Sequence, residues 1–450
     1  MSLPSRLHVA LDGFNLALPR GTGVATYART LSHALEAMSC QVDVLYGLNI
    51  SPRAKSALRE VLFFDRLGGE EKRQTGRFLT SRWKEQQRAM LFGQRAVEIS
   101  VDARVDIRSF RERLPAFDRI LNARDLFTTA TRHYRRTRRF LTVDLPETPD
   151  IMHWTYPLPI RVRGAKNVYT IHDLVPLRLP HTTLDDKAFH FRLINDIVRR
   201  ADALCTVSEA SRRDIIAFAP TSDAILHNTY QAVRRPADVM NLPAEILERT
   251  LRQLYGLRPD GYFLYYGSIE PKKNIGRLIE ATLSAQTDRP LVIVGAMAWK
   301  SEGELRLLQT GLNSGRIIRM EYLPEADLMA LVRGARAVLF PSLTEGFGLP
   351  VVEAMTMGTP VLTSREASLP EVTGDAACLV EAYDTPDIAR GIRRLDSDDV
   401  LCNALRSAGP AQADKFNMDI YQTRLKEFYA AVLARKPGSR ARSTASRRRD

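Results

Sequence analysis

The stretch Ala337-Val338-Leu339-Phe340-Pro341-Ser342-Leu343-Thr344-Glu345-Gly346-Phe347-Gly348-Leu349-Pro350-Val351-Val352-Glu353-Ala354-Met355 decides the fold. Ala337 to Phe340 is an unbroken apolar run, the mark of a strand covered on both faces. A loop follows in which Gly346 and Gly348 permit positive φ and close backbone approach. Pro350 suits the first turn of a helix. Strand, tight loop and helix in that order make one unit of a parallel α/β sheet, and such sheets bind ligands at the C-terminal ends of their strands. Free N–H groups at the helix start can receive an anion or a sugar hydroxyl. Glu353 is expected in the first turn, where its charge is favoured and where a carboxylate can accept hydrogen bonds from both hydroxyls of a ribose. Glu345 stands at the strand end, where it is expected to point into the cleft. Either Glu alone reads as a surface acid near a capped helix; the whole string reads as a ligand site.

The same rhythm extends outward. Tyr262 to Tyr266, Leu291 to Gly295, Arg316 to Leu323, Pro360 to Thr363 and Ala377 to Val380 are strand-like, and Asn274 can cap a helix carrying Ile275, Leu278, Ile279 and Thr282. An earlier half repeats it: Leu7 to Gly13, Val42 to Tyr46, Ile151 to Trp154, Asn167 to Ile171, Ala203 to Val207 and Ala224 to Leu226, with a helix through Val24, Tyr27, Ala28, Leu31 and Leu35. The expected organisation is α/β, two Rossmann-like doubly wound parallel-sheet domains facing a central cleft. The first covers 1–238, with a helical excursion at 50–145. A connector at 239–258 carries the hinge, and the second domain covers 259–415. A C-terminal helix, 416–434, is expected to pack back toward the first domain, and a disordered basic tail, 435–450, follows.

Size and charge bound the function. A chain of 450 residues is long enough for two cores. It has no apolar run long enough to span a membrane and no secretory leader pattern at its start. Cys40, Cys205, Cys378 and Cys402 lie apart in apolar surroundings, without metal-ligand spacing, and read as reduced buried thiols of a cytoplasmic protein. The net charge is +13. Part of it is the tail, where seven Lys or Arg stand against one acid from Arg435 to Asp450. Another part is Arg132-His133-Tyr134-Arg135-Arg136-Thr137-Arg138-Arg139, which suits an anionic membrane surface or simply a solvated face. Basic and aromatic residues do not interleave on a strand face, so nucleic acid is not expected as a partner.

Three further places carry candidate chemistry. In Tyr266-Gly267-Ser268-Ile269-Glu270-Pro271-Lys272-Lys273-Asn274 a strand ends and a helix begins, so a lysine there can reach a diphosphate; a fixed cation in a dry cleft stabilises the charge developing on such a leaving group. Gly21-Thr22-Gly23 opens a helix and can approach a phosphate or sugar, with Asp12 and Arg20 flanking it. His172-Asp173 ends a strand at the expected cleft. His153 and Trp154 end the preceding strand and are candidates for the acceptor side. Ser208 reads as a helix cap.

Glu345 and Glu353, with seven residues between them that include Gly-Phe-Gly-Leu-Pro, resemble the E-x7-E motif of the retaining glycosyltransferases of family 4, which have the GT-B fold. Pro360 to Ser364 and Ser368-Leu369-Pro370-Glu371-Val372 resemble that family's next strand and loop. The similarity covers nearly the whole chain outside 50–145 and the tail. It is particularly close to the bacterial mannosyl- and deoxyhexosyl-transferases of O-antigen and exopolysaccharide synthesis. The resemblance implies that Glu353 binds the donor ribose, that Glu345, Gly346, Phe347 and Gly348 meet the transferred sugar, and that Leu349 belongs with them to the donor site. It further implies that Lys273, with Lys272, holds the diphosphate, that His172 touches the sugar, and that Gly21 and Gly23 lie near donor phosphates and acceptor. Ser268 departs from the family, which carries Arg there. The implied activity is cofactor-free transfer of a hexose to a saccharide or lipid-linked acceptor; the branch favours mannose from GDP-mannose, while UDP and dTDP donors share every one of these motifs. No Asp-x-Asp stands at a strand end in a cleft position, so no metal is expected in the chemistry. His172, Glu345 and Lys273 are the catalytic candidates. A nucleotide-sugar hydrolase or epimerase, and a catalytically inactive partner or scaffold, share the same motifs.

Overall fold

The computed structural model describes residues 6–18, 23–69, 87–102, 104–110, 113–219, 224–296, 307–321 and 323–435. The first half of the chain contributes β1 (His8–Asp12), β2 (Gln41–Tyr46), β3 (Gln94–Arg95), β4 (Val97–Ile99), β5 (Arg119–Asn122), β6 (Leu141–Asp144), β7 (Ile151–Trp154), β8 (Ile160–Val162), β9 (Lys166–Thr170), β10 (Ala203–Thr206) and β11 (Leu226–Asn228). Eight of these form one sheet in the order β11-β10-β9-β7-β1-β2-β5-β4, while β3, β6 and β8 form a small satellite. Every pairing in the large sheet is parallel except β4 with β5. The excursion at 50–145 is therefore not simply helical. It holds the helices Ser56–Gly68 and Leu126–Thr137, but β5 also inserts beside β2 and widens the sheet. Its Ile120, Leu121 and Asn122 are buried, and that four-residue strand among charged neighbours leaves too short a pattern to separate from a helix.

The second sheet contains β12 (Phe263–Tyr266), β13 (Leu291–Val294), β14 (Ile317–Met320), β15 (Ala337–Phe340), β16 (Val361–Ser364) and β17 (Cys378–Val380), ordered β14-β13-β12-β15-β16-β17. Numbered along the domain this is 3-2-1-4-5-6, the dinucleotide-domain order, in which the chain reverses direction of winding between β12 and β15. Ligands bind at that switch point because the loops on either side leave in opposite directions and open a crevice. The first sheet has its own switch between β1 and β7.

The segment between the sheets is not a free linker. Helix Ala244–Tyr255 packs on the second domain: Leu251 lies so close to Gly334 that a Cβ there would fall 2.4 Å from its Cδ1. Arg333 donates to the carbonyls of Val239 and Leu242, both at 2.7 Å. The last helix, Met418–Ala434, crosses back to the first domain, where Tyr429 hydrogen-bonds His153 and the Arg435 carbonyl accepts from Lys166. All four cysteines are buried free thiols. No helix among the described residues is long and apolar enough to cross a membrane.

Candidate active site

The second switch point collects the charged candidates. A tight turn, Pro271–Lys273, follows β12, and the Lys272 carbonyl accepts from Leu343 N at 2.8 Å, tying it to the loop after β15. Asn274 does not cap the next helix. Its φ is +62° and its side-chain amide donates to Pro341 O and Ala382 O, so it fastens the turn to the neighbouring loops. The anchored turn holds Lys273 Nζ 2.6 Å from Glu345 Oε1, with the side chains 13% and 9% exposed. The same ammonium lies 4.9 Å from the centroid of the Phe340 ring, a cation–π contact. Lys272 stands beside it, 3.7 Å from Glu270. Burial opposes its charge, but Asp173, Glu270 and Glu345 outweigh burial and raise its pKa. Both lysines thus stay in a partly dry crevice because carboxylates surround them. Ser268 is exposed and donates to Glu270, so no cation stands at that position.

The helix after the loop is Leu349–Thr356, opened by Gly348 at φ +95°. That makes Glu353 its fifth residue rather than part of its first turn. The helix-start charge effect, which fades within a turn, is not what fixes it. Tyr266 does: its hydroxyl lies 2.9 Å from Glu353 Oε2 and 2.8 Å from Pro350 O. Burial pushes the Glu353 carboxyl up to about 7, the Tyr266 contact pulls it down, and the charge of Glu325 adds to the rise. Tyr266 is a site residue that the sequence reading left as core, because it ends an unbroken apolar strand.

Across the crevice His172 follows β9. Its Nε2 lies 2.9 Å from Thr155 O. A carbonyl only accepts, so Nε2 carries the hydrogen and Nδ1 is left as an acceptor. The Tyr27 ring meets it edge-on at 4.8 Å. Burial lowers the His172 pKa against the opposing pull of Thr155 and Asp173, which keeps the ring neutral near pH 7. The two domains touch here. A Cβ on Gly346 would fall 2.5 Å from the His172 carbonyl oxygen, so only glycine allows this approach. Gly23 opens helix Gly23–Ala37 opposite Leu349, 3.9 Å from where its own Cβ would stand. Phe347 turns its ring away, against Phe416 at 5.2 Å, and leaves only its backbone for a ligand.

Three expectations are corrected. His153 is fully buried, with Nδ1 2.7 Å from Tyr429 OH and Nε2 2.7 Å from Thr170 Oγ1. Burial drops its pKa to about 3. Trp154 is equally buried, donating to Asn167 and stacked on Tyr169. Neither lines a cleft. Asp12 is also enclosed; it accepts from Phe14 N and Thr155 N and so ties the loops that follow β1 and β7. The strand ends were read correctly, but side chains alternate across a sheet and these point into its layers. Arg20 and Gly21 lie outside the described residues. Ser208 caps helix Glu209–Phe218 by accepting from Ser211 N.

A six-stranded parallel sheet and an eight-stranded sheet parallel in all but its β4–β5 edge pair, with lysines and carboxylates at the switch point of one and a neutral histidine after β9 of the other, define the GT-B class of sugar-transferring folds. Comparison with known proteins narrows this. Residues 250–412 match the model of "Glycosyl transferases group 1" and residues 21–234 that of "Glycosyltransferase Family 4". The chain is 33% identical over 268 residues to O-antigen chain mannosyltransferase B of Escherichia coli, covering 58% of this chain and 69% of that one. It is 29% identical over 359 residues to the serotype-specific mannosyltransferase WbdA of the same species, covering 72% of this chain but only 44% of the relative. The solved HepE of Anabaena, in complex with UDP and glucose, shares the fold at TM-score 0.62 and 15% identity, over 95% of this chain and all of that one. This protein belongs to glycosyltransferase family 4.

Proposed function

We propose that this glycosyltransferase moves mannose from GDP-mannose, with retention at the anomeric carbon and without a metal ion, onto a saccharide or lipid-linked acceptor of a bacterial surface polysaccharide. The observation that carries the reading is the Lys273–Glu345 pair at the second switch point, with Glu353 on the adjoining helix and His172 opposite. Glu353 and the loop amides take the nucleotide and sugar, and Lys273 and Lys272 take the diphosphate. The acceptor oxygen bonds to the anomeric carbon on the face from which the diphosphate departs. The carbon–oxygen bond to phosphate breaks and its electron pair leaves with the diphosphate. The acceptor proton passes to that leaving phosphate. The lysines offset the charge that develops, which supports a reaction without a divalent ion. Glu345 is already engaged by Lys273, which disfavours it as a covalent nucleophile. The mannosyltransferase relatives support the sugar. Arg135, Arg138 and Arg192 line one groove of the first domain, and this basic face supports docking at the inner, anionic leaflet of a membrane that presents a lipid-linked acceptor.

Thermal-shift titration with GDP, UDP and dTDP tests the donor. A nucleotide at a hundred times its Kd stabilises by about 2.7 kcal/mol. GDP should stabilise the wild type and not Glu353→Ala. Stabilisation by UDP or dTDP alone overturns the donor; stabilisation by none overturns the donor site. Product analysis with chelator, with and without acceptor, should show transfer; free sugar as the sole product in both would mean a hydrolase.

A further inference from the structure

Glu371 stands on the short helix Leu369–Thr373 of the second domain, yet its bonds go to the first. Its two carboxylate oxygens accept from Glu209 N at 2.8 Å and Ala210 N at 3.0 Å. Those are the first two N–H groups of helix Glu209–Phe218, groups that no helix satisfies internally. Ser208 supplies the partner for the next, Ser211 N. The helix start is therefore capped jointly, once from its own chain neighbour and twice from the other domain. A carboxylate at that end also meets the positive end of the helix dipole. Burial holds the Tyr230 phenol above its usual pKa, and the nearby Glu371 carboxylate adds to that rise.

This contact is wired to the site on both sides. Three residues before Glu371, Ser368 Oγ donates to Glu345 O at 2.9 Å, and Leu369 packs where a Cβ on Gly348 would come within 2.8 Å. Three residues into the capped helix, Ser211 Oγ donates to His172 O at 2.6 Å and sits 3.4 Å from Gly346 O. The backbone of Glu345 and the backbone of His172 are thus joined by a chain that passes through one interdomain carboxylate.

We propose that Glu371 is a closure latch: by capping the first-domain helix from the second domain it holds His172 against the Glu345–Gly348 loop. It is a positioning residue and touches neither donor nor acceptor. When the domains part, the two amides lose their partner to water and the His172 carbonyl separates from Gly346. Its catalytic consequence rests on the transferase reading; the closure itself does not.

The test uses the full chain as wild type, Glu371→Ala and Glu371→Gln. Hydrogen exchange at Glu209 and Ala210 should speed by about tenfold or more in Glu371→Ala, and the radius of gyration in solution scattering should rise. The transfer kcat should fall by about tenfold while the donor KM and the thermal shift by GDP change by less than about threefold. Glu371→Gln keeps an acceptor oxygen and should recover part of the exchange protection and of kcat. Unchanged exchange and scattering in Glu371→Ala overturn the latch. So does a loss of GDP binding matched by a general loss of stability, restored by neither variant, since that marks a residue needed only to fold its own domain. A wild type that binds no nucleotide refutes the transferase reading and leaves the exchange and scattering comparison decisive for the latch.

Discussion

The two switch points of this molecule share a topology and differ in what they do with polar groups. Between β1 and β7, Asp12, His153 and Trp154 are sealed, each satisfied by backbone, threonine, tyrosine or asparagine partners. Between β12 and β15, Lys272, Lys273 and Glu345 remain partly exposed and are paired charge to charge, Lys273 with Glu345 and Lys272 with Glu270. A strand end at a switch point is therefore a place for a site, not proof of one. The candidate site lies where the fold leaves paired charges at the mouth of a crevice, within reach of a ligand.

Substitutions can break or sharpen this contrast. In the sealed region, Trp154→Ala removes a fully buried ring and should cost about 3–5 kcal/mol of stability in denaturant unfolding. Molecules that still fold should retain most of their nucleotide binding. In the open region, Lys273→Ala leaves the Glu345 carboxylate unpaired and should cost less stability than Trp154→Ala, but lower the transfer kcat by about a hundred- to a thousandfold, read in steady-state kinetics. If Trp154→Ala instead acts on transfer with stability intact, the contrast fails.

Two titrations sharpen it further. The Glu353 carboxyl is raised to about 7 when no ligand is bound. A ribose prefers the carboxylate, so nucleotide affinity should rise with pH through about 7 and binding should release a proton. The same shift acts on folding with the opposite sense: the protonated form is favoured in the folded protein, so its contribution is fully present below the unfolded pKa and is lost as pH climbs through about 7. Glu353→Gln should flatten both curves, measured by calorimetry in two buffers and by Tm against pH. The smallest effect belongs to Asp12, raised by burial to about 6 despite its backbone donors. Its contribution is likewise present at low pH and lost as pH rises through about 6, and Asp12→Asn should remove that slope with little effect on transfer.

The second domain was legible because its pattern is redundant. Unbroken strands such as Leu291–Val294 and Ala337–Phe340, each followed by glycine or a turn, leave little choice but a parallel sheet. Position placed the loop of Glu345 and the turn of Lys272 and Lys273 at strand ends, and the family resemblance singled out Lys273 within that turn. The first domain was harder. Strand β5 is four residues inside a charged stretch, and local pattern gives way there to pairing with a distant neighbour, β2. His153 and Trp154 show a second limit. Sequence gives the strand end, but which layer a side chain enters is settled by what covers the sheet. That cover includes Tyr429, 276 residues away. Tyr266 and Glu371 escaped for the same reason, since their meaning lies in groups from other elements.

The returning helix Met418–Ala434 also has a consequence in time. At about 5–20 residues per second, the ribosome needs roughly 14–55 s to pass from His153 to Tyr429. For the later part of that interval, once β11 has been made, the first domain has the strands of its sheet but not the helix that covers His153, and an imidazole destined for a dry interior faces water or a chaperone. A nascent chain stalled before Met418 should show that histidine titrating near its ordinary value, and release of the last helix should silence it.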